Sequence, residues 1–145
     1  TIYTIGSNDN GNFLKAVADN AASGLGKEVK IDLNKTPYIN ITWKIEQDLV
    51  GIKEDTKKGH DFSSNSDVGA SWPSPYTKKS TDNVLSTTKN NFNEWITVKA
   101  NVKKDFKKFH DLDVNELDGL AIMSDTDNSK MKAIAYYQNI YFSSD

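Results

Sequence analysis

Apolar and polar residues alternate with period two along several short stretches, the pattern of strands with one buried face. In residues 29–33, Val29, Ile31 and Leu33 point one way while Lys30 and Asp32 point the other. In residues 39–45, Ile39, Ile41, Trp43 and Ile45 are inward against Asn40, Thr42 and Lys44. In residues 96–102, Ile96, Val98, Ala100 and Val102 oppose Thr97, Lys99 and Asn101. Such clean alternation belongs to antiparallel sheets wetted on one side. Residues 119–123 and 133–142 are apolar on both faces and are expected to be central strands. Residues 13–22 fit a short helix or a strand lined by Leu14, Ala16 and Ala18. The run is short, uncapped and followed at once by another strand, so a strand ending at Ser23-Gly24 is expected. One helix of a turn or two is predicted near residues 103–110, where Phe106 and Phe109 lie three apart.

Turn chemistry separates these segments: Asn8-Asp9-Asn10-Gly11, then residues 23–26, 34–37, 57–59, 73–75 and 125–130. Residues 53–86 lack sustained alternation and are rich in Ser, Lys, Asp and Pro, a long irregular stretch for one domain. Seven or eight short strands punctuated in this way predict an all-β fold. The expectation is a single antiparallel β-sandwich domain over residues 1–145, with at most that one short helix.

Composition narrows the function. The 145 residues suit one core, and no apolar run approaches the ~20 residues of a spanning helix. All 18 basic residues are Lys, so the bidentate grip of a guanidinium on phosphate or carboxylate is absent. The formal charge of −2 and lysines that come in pairs rather than massed, alternating with acids along the chain, argue against nucleic acid as the main partner. With no Cys, disulfides, thiolate metal sites and cysteine nucleophiles are all excluded. The first residue is Thr1, with no charged-then-apolar leader, which fits a mature exported protein or a trimmed chain.

Three segments together resemble the bacterial domain of unknown function 3047 family. The first runs from Leu14-Lys15-Ala16 to Ala22-Ser23-Gly24-Leu25 and on to the strand holding Trp43. The second, Lys58-Gly59-His60-Asp61-Phe62, is similar to a Lys-x-Gly-Asp-Asp-Phe element. The third is the run from Gly119-Leu120-Ala121-Ile122-Met123 to Ser129, followed by Ala135-Tyr136-Tyr137 and Ile140-Tyr141-Phe142. Trp95, Asp105-Phe106 and Phe109 match the family's spacing too. Two departures stand out: His60 replaces the first acid of the second element, and Ser63-Ser64-Asn65-Ser66-Asp67 stands where the family has an Arg-containing apolar strand. A strand is expected to be missing there, or a segment omitted. The resemblance implies export, a jelly-roll sandwich like those of carbohydrate-binding modules, and no established activity. Fold likeness alone does not assign function.

Candidate chemistry is sparse. Asp125-Thr126-Asp127-Asn128-Ser129 opens like a calcium loop, but Lys130 and Tyr136 occupy the places where an EF-hand needs Gly and Glu. A turn with Asx bonds explains it as well. If calcium binds, Asp125 and Asp127 are the expected metal ligands, joined by Asp61. Asp111-Leu112-Asp113 has similar spacing and reads as a solvated loop. There is no Gly-x-Ser-x-Gly elbow, no His-Glu-x-x-His and no phosphate loop. His110 sits at a helix end and His60 in a turn. Trp43 is inward and belongs to the core. Trp95 lies opposite the Ile96 face, on a second apolar layer or partly exposed. Trp72 and Tyr76, beside two prolines, are positioned to stack on sugar rings or to plug one end of the sandwich.

Three function classes follow. The leading one is a non-catalytic, exported (periplasmic or extracellular) module that binds a glycan or another cell-envelope ligand through Trp72, Tyr76 and Trp95. The second is a hydrolase or metal-binding protein using Asp61, Asp125 and Asp127. The third is a structural or protein-interaction domain.

Overall fold

The period-two segments become strands. The computed structural model describes residues 1–20, 22–47, 59–63, 68–73, 81–125 and 131–145. In chain order these form β1 (Ile2–Asn8), β2 (Gly11–Asp19), β3 (Ala22–Asp32), β4 (Tyr38–Gln47), β5 (Gly59–Ser63), β6 (Ser71–Pro73), β7 (Thr81–Thr87), β8 (Ile96–Asn101), α1 (Val102–His110), β9 (Glu116–Asp125) and β10 (Lys132–Ser143). Five strands make the main sheet in the order β1-β2-β10-β4-β8, every pair antiparallel. β3 and β9 form an antiparallel ribbon, and β5-β7-β6 a third sheet. The fold is the all-β sandwich that the alternation predicts, with unclosed sheets and one short helix.

Register fixes the two faces of the main sheet. Ala135 is opposite Ala16 and Ile45, and Tyr137 opposite Leu14 and Trp43, so these side chains share one face. That face is the core: Ala16 and Ala18 are fully buried and Trp43 is 5% exposed. Alanines in the middle of the sheet leave room for bulky partners from the facing layer. Trp43 Nε1 donates to Ser86 Oγ of β7 at 3.0 Å, and the Tyr137 and Ser124 hydroxyls lie 3.2 Å apart. The third sheet and the ribbon therefore both cover the Trp43 face.

Local chemistry sets the turns and the helix. Asp9 and Asn10 are the two-residue loop of the β1–β2 hairpin, with Asn8 Oδ1 accepting from the Asn10 amide at 2.9 Å. Gly11 follows at φ 114°, a conformation that costs glycine little. Asn101 caps α1 by accepting from the Lys104 amide at 2.9 Å. Asp111 ends the helix in the left-handed region at φ 53°. Val102 is the buried first residue of α1 rather than the last of a strand.

Other expectations are corrected. Residues 119–123 lie in β9, whose strand partner among the described residues is β3 alone, and Met123 is 52% exposed. An apolar run reads alike whether its strand is central or lies in a ribbon. Ser23-Gly24-Leu25-Gly26 is no turn: Gly24 and Gly26 run extended in β3 opposite Met123 and Ala121. Residues 53–86 are not without order, since β5, β6 and β7 fall there, and His60 belongs to β5. β5 pairs with β7 in parallel, the exception to the antiparallel rule. β10 is central, as predicted. Among the described residues no helix is long and apolar enough to cross a membrane.

Candidate functional site: an aromatic and lysine face on the main sheet

Opposite the core, the main sheet presents a face built by the other half of each alternation. Thr4, Lys15, Tyr136 and Lys44 stand in one cross-strand row over β1, β2, β10 and β4. Gln138, Thr42 and Thr97 form the next row. The rows are tied laterally. Gln138 Nε2 donates to Asn8 Oδ1 at 2.9 Å and to the Gly11 carbonyl at 3.1 Å, and the Thr42 and Thr97 hydroxyls are 2.8 Å apart. Buried amides satisfied in this way hold the sheet's register without an apolar cover. Asn40, outward in the alternation, is buried on this side and donates from Nδ2 to Ser143 Oγ at 2.8 Å.

Three aromatic rings gather on the lysine row. Phe13 and Tyr136 have centroids 5.5 Å apart in an edge-to-face arrangement. Trp95 completes a triangle at 5.8 Å from Phe13 and 5.9 Å from Tyr136. Tilted and edge-on pairs at these distances are favoured by the ring quadrupoles. Phe13 and Trp95 remain partly exposed, whereas Tyr136 is 8% exposed. Lys44 Nζ sits 4.4 Å from the Tyr136 centroid and 5.3 Å from that of Trp95, and Lys15 Nζ 5.6 Å from Tyr136. These are cation–π distances. The Tyr136 hydroxyl donates to Glu46 Oε1 at 3.1 Å.

The crossover from β7 to β8 delivers Trp95 to this face. The amides of Asn90 and Asn91 donate to the Thr87 carbonyl, and Asn91 Nδ2 bonds Glu94 Oε1 at 2.7 Å. Asn93, at φ 56°, then donates its amide to the Ile45 carbonyl at 2.8 Å. That bond anchors the segment to β4, and Ile96, starting β8, turns inward opposite Trp43. Trp95, one residue earlier, is left on the outer side.

Of the predicted ligand-binding residues, Trp95 is part of this cluster. Trp72 falls in β6 of the third sheet, and Tyr76 lies outside the described residues. Of the predicted metal ligands, Asp61 falls in β5 and Asp125 ends β9, on different sheets, while Asp127 lies outside the described residues. Among the described residues no group of three or more His, Cys, Asp or Glu side chains is placed to hold a metal ion. Sequence reasoning missed Phe13, Lys15, Lys44 and Tyr136 as neighbours of Trp95. Lys44 was legible as an outward residue; its meeting with Tyr136 depends on a pairing of strands about 90 residues apart.

Comparison with known proteins gives a family match. The family model described as "Protein of unknown function (DUF3047)" matches residues 1–64 and 62–141. The match divides at residues 62–64, where Ser63-Ser64-Asn65-Ser66 begins the departure noted in the sequence. No curated protein and no solved structure matches the chain.

Proposed function

The chain belongs to the DUF3047 family, a family of unknown function, and from that premise we propose that it is a non-catalytic, exported module that binds a glycan on the outer face of its main sheet. The carrying observation is the partly exposed Trp95, packed with Phe13 and Tyr136 at 5.5–5.9 Å and flanked by two lysines. The apolar C–H face of a pyranose is matched by an indole, and the sugar hydroxyls by ammonium and hydroxyl groups on the surrounding strands. Lys15, Lys44, Thr42 and Thr97 supply those groups here. Mounting the residues on paired strands keeps the surface preformed, so little ordering is lost on binding.

Titration of the full chain with a panel of oligosaccharides, read by tryptophan fluorescence, tests the reading. A binder should change the emission, and Trp95→Ala should bind it more weakly by isothermal titration while circular dichroism stays the same. Loss of one stacked indole is expected to weaken binding by about tenfold or more. A panel without any binder, or unaltered affinity in the variant, refutes it.

A further inference from the structure

We infer that the ligand of this face is an acidic polysaccharide, one whose sugars carry carboxylates as uronic acids do. The inference rests on the binding reading above and adds the charge of the ligand. Lys15 and Lys44 flank Tyr136 from the strands on either side of β10. Among the described residues neither has an acidic partner within 4.0 Å, whereas Lys30 pairs with Glu116 and Lys107 with Asp111 elsewhere on the molecule. Lys99, on the same face, gives its ammonium to the Asp145 carbonyl at 2.7 Å. Among the described residues, the carboxylate bonded within the cluster is that of Glu46, which accepts from the Tyr136 hydroxyl. The centre of the face is therefore positive on a chain whose formal charge is −2.

This local reversal of sign has a chemical consequence. Each ammonium has three donors, and those not turned toward the ring stay open to solvent or a ligand. The strands carrying the two lysines are separated by one strand, roughly 9–10 Å, comparable with the length of a disaccharide. Carboxylates on neighbouring sugars can reach both lysines while a ring stacks on Trp95. Lysine suits this role because it acts as a point charge and needs no bidentate geometry. Single-stranded nucleic acid also joins stacking to positive charge, but it calls for a charged groove that tracks the backbone. Two lysines on either side of one tyrosine do not make one.

Isothermal titration of the full chain with three probes decides the matter: an oligogalacturonate, the same oligomer with its carboxyls reduced to alcohols, and an oligothymidylate of similar length. The acidic oligomer should bind about tenfold tighter than its reduced form, as expected for charge-assisted hydrogen bonds. The gap should shrink as salt rises. Lys15→Gln with Lys44→Gln should equalise the two oligomers, and an unchanged circular dichroism spectrum shows that the variant is folded. Equal binding of both oligomers by the native chain, or a preference that survives the double variant, overturns the acidic ligand and leaves glycan binding standing. Tighter binding of the oligothymidylate overturns it in favour of nucleic acid. Binding of none of the three overturns the acidic ligand, and the wider oligosaccharide panel then decides separately whether glycan binding falls with it.

Discussion

Gly6 shows how one residue shapes the candidate surface. It faces Phe13 across the β1–β2 hairpin, and a Cβ at Gly6 would come within 2.5 Å of Phe13 Cζ. The ring thus lies over a bare stretch of backbone, an arrangement that compensates for the weak strand propensity of glycine. Gly6→Ala would push Phe13 away from Tyr136 and Trp95. The expected cost is about 1–3 kcal/mol, read by urea unfolding, with a change in Trp95 emission; unchanged stability and emission would show that the ring has room to move. Gly6 reads in sequence as an ordinary residue of a polar stretch, because its meaning comes from a neighbour across the hairpin. Trp95 was more legible. The alternation of residues 96–102 put it opposite Ile96, and the structure selects the partly exposed alternative. Its ring partners come from β2 and β10, and no periodicity within a single segment reports such a meeting.

At the scale of elements, α1 carries an instructive conflict at its end. Asp111 is left-handed at φ 53° and bears a negative charge where the helix dipole is negative. Its compensation is an ion pair with Lys107 at 2.9 Å, but both side chains are largely exposed and such pairs are worth little. Asp111→Gly removes the left-handed strain and the unfavourable charge together. It should raise stability by roughly 0.5–1 kcal/mol, seen as a higher thermal midpoint; a drop would mean the ion pair outweighs both. The spacing of Phe106 and Phe109 shows the helix in sequence, while its start at Val102 is hidden, because Val102 completes the strand pattern of residues 96–102. The asparagine cap wins there: Asn101 turns the chain and Val102 is buried regardless. Strands β5 and β6, five and three residues long, are too short to show a period.

At the scale of the whole molecule, stability should follow position in the main sheet. β10 is hydrogen-bonded to β2 on one side and β4 on the other, and β4 to β10 and β8. Amides in strands flanked on both sides open only with most of the structure, whereas edge strands open locally. β1 is such an edge, with Ile5 79% exposed, and the β3–β9 ribbon pairs only internally among the described residues. Hydrogen exchange followed by NMR should therefore find the slowest amides around Ala135 and Tyr137 in β10 and Ile41 and Trp43 in β4. Those of β1 and β9 should exchange at least about tenfold faster, a difference of ~1.4 kcal/mol in opening free energy. The comparison of β9 with β10 discriminates, because their sequences are alike in being apolar on both faces and both were expected to be central. If β9 exchanges as slowly as β10, the ribbon has a further strand partner and the sequence expectation was right for both. If only β10 is slow, apolar composition measures how much of a strand is covered by a facing layer, and membership of the centre of a sheet is decided by pairing.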